Sequence, residues 1–172
     1  MAQQDGVDVI IGEWQAVRPD LDCSPMELVG RLSRASRLLE RALKDLFAQH
    51  GLESWEFDVL ATLLRSGPPH VLTAGQLSAA AMVSSAALTN RVDRLVDKGL
   101  VDRAVDPAHR RRVLISLSEQ GLQLVNEVVE HHLANERRLL EGLSATERDQ
   151  LTALLRRLLI TLGDTGRPST DT

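Results

Sequence analysis

Apolar residues along the chain recur at intervals of three and four, in runs separated by short polar breaks. Val7, Ile10, Ile11 and Trp14 predict a short amphipathic helix. It ends at Arg18-Pro19, because proline disfavours helical backbone in the residue before it. Ser24-Pro25-Met26-Glu27 has the pattern of a capping box with proline at the first helical position. A long helix follows, through Leu28, Leu32, Ala35, Leu39, Leu43, Leu46 and Phe47, and stops near Gly51. Another starts at Ser54, turns Val59, Leu60, Leu63 and Leu64 inward, and ends before Gly67-Pro68-Pro69.

The middle of the chain changes rhythm. Thr73-Ala74-Gly75-Gln76 is a second capping box, opening a helix of only two turns. Val83-Ser84 restarts the chain, with Ser84 as cap and Val83 stapled onto Leu88. That helix buries Leu88, Val92, Leu95 and Val96 and stops at Gly99. Two extended stretches, 100–105 and 113–117, flank the turn Asp106-Pro107-Ala108-His109-Arg110-Arg111. Ser118 caps a long helix carrying Leu122, Val125, Val129, Leu133 and Leu140. Ser144-Ala145-Thr146-Glu147 is a third capping box, before a helix striped with Leu151, Leu154, Leu155, Leu158, Leu159 and Leu162. The polar tail over 163–172 is expected to be disordered.

The order helix, short helix, helix, strand, basic turn, strand predicts a mainly α winged helix-turn-helix with a β-hairpin wing. Ser84, Ser85, Thr89 and Asn90 lie near the start of the third helix, small and polar enough to approach base edges in a major groove. Arg94 and Lys98 follow where phosphates would pass. Arg110 and Arg111 at the hairpin tip suit a minor groove or its phosphates. The plainer alternative is a helical protein whose hairpin charges are merely solvated.

Composition supports the helical reading. The 172 residues include two Phe, two Trp and no Tyr, so the core must be built from Leu, Val and Ala. Net charge is −4, which by itself argues against nucleic acid. Its distribution reverses that inference. Residues 84–112 hold seven Lys/Arg and four Asp, a net of +3, which leaves −7 on the rest. A basic face on an acidic body confines phosphate binding to one side. No run approaches the roughly 18 apolar residues that a membrane span needs. The N-terminus has no signal-peptide pattern and the single Cys23 cannot form an internal disulfide, so cytoplasmic residence without membrane contact is expected. There is no P-loop, dinucleotide fingerprint or metal-ligand spacing. His131 and His132 are adjacent and diverge on a helix, while His50, His70 and His109 lie in or beside loops. Neither an enzyme nor a cofactor or metal is expected.

Residues 72–121 carry Ala74-Gly75-Gln76-Leu77, Thr89-Asn90-Arg91-Val92-Asp93-Arg94-Leu95, Lys98-Gly99-Leu100-Val101-Asp102-Arg103, Asp106-Pro107, Arg110-Arg111 and Leu117-Ser118-Glu119-Gln120-Gly121. This series resembles the MarR family of regulators, and the resemblance extends from 24 to about 162. It departs from the family at His109, where many members have Asp before the paired wing arginines. The resemblance implies a homodimer joined by segments 24–50 and 118–162, with a DNA-binding lobe over 54–117. Paired recognition helices then require a palindromic operator on double-stranded DNA.

The additional helix within residues 1–23 narrows the likeness. Glu13-Trp14, Arg18-Pro19-Asp20-Leu21-Asp22 and Ser24-Pro25-Met26 resemble the opening of the urate-responsive, PecS-like and HucR-like subgroup. The positions matching that subgroup's ligand residues are Trp14, Asp58, Arg91 and Arg103. Trp14 offers a flat face to a heterocycle, the arginines offer forked donors to an anion, and Asp58 accepts a ring N–H. The implied function is a repressor released by a small anion, urate or a related purine. Related members respond to trans-aconitate or citrate, and two arginines fit a tricarboxylate equally well. Plainer roles are packing for Trp14, phosphate contact for Arg91, a surface acid at Asp58, and pairing of Arg103 with a nearby Asp. Cys23, just before a helix N-terminus, makes a thiol-based peroxide sensor another alternative, although the chain lacks the tyrosines of the peroxide-sensing branch.

Overall fold

The computed structural model describes residues 4–81 and 85–164, with the backbone alone at 85 and 86. The expected Ser84 cap, the Val83 staple and the tail beyond 164 lie outside the described residues. Among the described residues, seven helices and three strands follow in the order α1 (Gly6–Val17), α2 (Ser24–Gln49), α3 (Ser54–Arg65), β1 (Val71–Thr73), α4 (Ala74–Ala81), α5 (Ser85–Asp97), β2 (Val101–Val105), β3 (Val113–Leu117), α6 (Glu119–Leu139) and α7 (Ala145–Thr161). The chain divides into two compact units, Met1–His132 and Leu133–Thr172. None of the described helices is long and apolar enough to cross a membrane.

Most helix starts follow the capping chemistry. Thr73 Oγ1 accepts from the Gln76 N–H, while Gln76 Oε1 accepts from the Thr73 N–H, a reciprocal box. Ser144 and Glu147 form the same arrangement before α7. Ser118 Oγ accepts from the Gly121 N–H at 2.9 Å. One start differs from expectation. The N-cap of α2 is Cys23, whose side chain makes no capping bond, and Ser24 instead donates its N–H to Asp22 Oδ1. Pro25 remains in the first turn, where its missing donor costs nothing. Helix α3 starts at Ser54 as expected, with Glu53 before it as the cap, boxed with Glu56.

The sheet has the order β1-β3-β2, all antiparallel. Strands β2 and β3 are the expected wing. Strand β1 was not expected; it exists because Leu72 pairs with Ile115. The core lies where α3, α4, α5 and the sheet meet. Leu60, Leu63, Leu77, Leu88, Leu95, Ile115 and Val125 are all fully or almost fully buried there. Two glycines set the junctions. Gly99 takes φ +69 after α5, a left-handed turn that side chains resist. At Gly121 an added Cβ would sit 1.9 Å from the Leu100 carbonyl oxygen, so only glycine lets the first turn of α6 lie against the start of the wing.

Helix α1 packs on α2 through a small separate cluster of Val7, Ile11 and Cys23. Arg31 on α2 reaches both Asp5 and Asp8 at the start of α1. On α2, Leu28, Val29 and Leu38 are exposed, and on α7 so are Leu154, Leu159 and Ile160.

Candidate functional site

Helix α5 is amphipathic because Leu88, Val92 and Leu95 recur on one face and are buried. Its other face carries Thr89 and Asn90, both exposed. Ser84 lies outside the described residues, and of Ser85 only the backbone is described. The chain leading out of α5 is tied to the start of α3 by charge. Arg94 pairs with Glu53 and lies over the Trp55 ring, 4.9 Å from its centroid. Lys98 donates to Glu56 Oε2 at 2.7 Å and to the Gly51 carbonyl at 3.1 Å. Glu56 is fully buried, so this pair is shielded from water on the acid's side. Arg94 and Lys98, expected beside phosphates, therefore also hold α5 to the body of the lobe.

The wing turn is organised by Asp106, whose Oδ1 accepts from the N–H groups of Ala108 and His109. Asp106 N–H closes the hairpin onto Arg112 O at 3.0 Å. Arg110 and Arg111 are exposed, and neither enters an ion pair among the described residues. The tip thus presents uncompensated positive charge.

Of the four ligand candidates, Asp58 and Arg91 are brought into electrostatic reach of each other. Asp58 sits in α3 and Arg91 in the second half of α5. Although Asp58 is exposed, crowding by protein desolvates its carboxyl and lifts its pKa above the ordinary aspartate value. Arg91, Arg65 and His132 pull it partly back. Arg91 also lies 5.4 Å from the Trp55 centroid, so this ring has two arginines over it. Arg94, helped by the Trp55 Nε1–H that Glu53 also accepts, holds that carboxyl below its usual range.

Arg103 on β2 bonds to Asp93 on α5 at 2.9 Å, the pairing that its plainer role required. Its stem helps line a cleft of about 160 Å³ with Leu88, Thr89, Val92 and Ile115. Trp14 on α1 is 40% exposed, and no described contact joins it to Asp58, Arg91 or Arg103. Cys23 is buried, and its thiol faces the Leu21 carbonyl. Sequence reasoning passed over Trp55, Glu53 and Asp93. A tryptophan next to an acid at a helix start was the available signal.

A helical lobe with an exposed polar helix beside a basic β-hairpin defines a winged helix-turn-helix, a DNA-binding class. Known proteins give the same answer. The MarR family pattern matches residues 50–112. The HTH-type transcriptional regulator PecS of Dickeya dadantii is 42% identical over 158 residues, 92% of this chain and 95% of that protein. A mutant MarR from E. coli, solved in complex with operator DNA, superposes with TM-score 0.67 at 25% identity, covering 85% of this chain and 97% of that one. BpsR of Bordetella bronchiseptica superposes with TM-score 0.65 at 26% identity, covering 77% and 98%. The chain belongs to the MarR family and is a winged-helix transcription regulator.

Proposed function

We propose that the chain is a homodimeric repressor that occupies a palindromic operator and leaves it when a small planar anion binds. Urate or a related purine is the ligand, held by Trp14, Asp58, Arg91 and Arg103. The observation that carries this function is the bond from Arg103 to Asp93 on α5, beside an Arg91 that stands within electrostatic reach of Asp58 on α3. Without ligand, Asp58 stands within electrostatic reach of Arg91, and Asp93 is bonded to Arg103. An anion offers both guanidiniums a competing partner. Because Arg91 and Asp93 belong to α5, exchanging partners changes the forces on the helix that reads DNA. That supplies the difference in ligand affinity between two states that any switch needs. The relative BpsR, whose DNA binding is regulated by 6-hydroxynicotinic acid, offers a precedent in a planar heterocyclic acid. The exposed apolar residues of α2 and α7 support the dimeric reading.

Sedimentation at micromolar concentration should return a dimer; a monomer would remove the basis for a palindromic site. A gel-shift assay on an operator selected from random duplexes tests the switch, with urate, citrate and peroxide as separate arms. Urate should release the wild type. Trp14→Phe and Arg103→Ala should still bind DNA yet stay bound at urate concentrations that release the wild type. Loss of one charge-assisted hydrogen bond in Arg103→Ala costs about 1.5–3 kcal/mol, roughly a 10- to 150-fold weaker ligand response. If both variants respond as the wild type does, the pocket is elsewhere. Release by citrate alone reassigns the ligand to a tricarboxylate, and release by peroxide alone points to Cys23.

A further inference from the structure

Three metal-ligating side chains converge at the end of α2, far along the sequence from one another. His50 caps the C-terminus of α2, and Glu127 and His131 stand one turn apart on α6. His50 Nε2 lies 3.1 Å from His131 Nδ1, with the rings stacked at 5.0 Å between centroids. His50 Nδ1 lies 3.8 Å from Glu127 Oε1. One ligand atom from each of the three residues can be chosen so that all lie within 4.8 Å of one another.

We propose that His50, Glu127 and His131 form a binding site for a divalent transition metal, Zn²⁺ foremost. Ligand atoms at about 2.0–2.1 Å from a tetrahedral zinc are roughly 3.3 Å apart. The two imidazole nitrogens already have nearly that spacing. Glu127 is exposed, and one of its oxygens lies within 4.8 Å of a nitrogen of each ring. Two imidazoles and a carboxylate suit Zn²⁺ and other late first-row ions, with a fourth position left to water. Metal binding needs both rings as neutral donors, so a cation would take the place of the hydrogen between the two facing nitrogens.

The framework favours a defined site over a chance meeting of side chains. The side chain of His50 is only 15% exposed. The backbone N–H of His50 bonds back to the Phe47 carbonyl at 3.0 Å, and Phe47 is itself buried and stacked 4.3 Å from Phe57. Glu127 and His131, at i and i+4, share one face of a regular helix. Spacing within a single segment did not announce the set, because its third member lies 77 residues before the other two begin.

The test uses the full chain stripped of metal by chelator and titrated with Zn²⁺ in a non-coordinating buffer. Co²⁺ serves as a coloured substitute. One metal per chain is expected, with a d–d absorption of low-coordinate Co²⁺ and a rise in thermal midpoint on adding Zn²⁺. His131→Gln and Glu127→Gln are surface changes that should fold normally by circular dichroism. Each should weaken Zn²⁺ at least tenfold and lose the thermal shift, while His109→Gln in the wing should keep both. Wild-type behaviour in His131→Gln and Glu127→Gln, or no saturable site in the parent chain, overturns the assignment.

Discussion

Lys98→Met removes the ammonium that neutralises a buried acid while keeping most of the apolar stem. In the wild type, Glu56 Oε2 accepts from Lys98 at 2.7 Å and from the Glu53 N–H at 2.9 Å. Its Oε1 has no hydrogen-bond partner among the described residues. Without Lys98 the carboxylate keeps one backbone donor in a fully buried place. Breaking a buried pair from one side costs about 3–5 kcal/mol. Here Lys98 is 39% exposed, so water enters the vacated position and the cost falls to about 2–3 kcal/mol. For a chain of this size that lowers the thermal midpoint by about 4–12 °C. Thermal unfolding followed by circular dichroism, at fixed protein concentration, reads it directly. Adding Glu56→Gln should restore part of the loss, because a neutral amide does not need the ammonium. A Lys98→Met chain within about 0.5 kcal/mol of wild type, the scatter of ordinary surface changes, would refute the reasoning. So would a double variant that loses the sum of the two single effects.

In the wing, Arg110→Ala with Arg111→Ala should weaken binding to every duplex and reduce the salt slope by about one for each phosphate no longer neutralised. Asn90→Ala should instead change base preference, as measured by selection from a random library. Asp58→Asn should stabilise the ligand-free protein at neutral pH while weakening release by urate. The sign follows from the raised pKa: desolvation favours the protonated acid in the folded state, so stability falls as pH rises through that folded value. The midpoint difference between variant and wild type should therefore grow from acid to neutral pH; a difference that shrinks would contradict it.

The winged lobe was legible because each piece had a local cause. Capping boxes at Thr73 and Ser144, the stop at Gly99, and the apolar spacing of α5 depend on residues a few positions apart. What escaped notice depended on distant partners. Strand β1 has three residues and no pattern of its own; Ser116, Ile115 and Leu114 across the sheet create it. The cap of α2 fell to Cys23 because Asp22 had already claimed the Ser24 N–H. Arg94 reads as a phosphate contact from its place on the helix, and only the fold shows Glu53 and Trp55 beneath it. Asp58 and Arg91 came into view through family likeness, since 33 residues separate them. A ligand stacked on Trp14 should quench its fluorescence, and reading that signal needs a Trp55→Phe background, because Arg91 lies over the second ring.

The central claim is that ligand and operator compete for the pose of α5, and linkage makes it directly measurable. Urate affinity should be determined by calorimetry for the free protein and again for the protein saturated with its operator. The two binding events must weaken each other by one common factor. Tighter binding of urate to the free protein, by the same ratio that urate lowers operator affinity, is the predicted result. Equal urate affinity with and without operator would contradict it, however tightly urate bound.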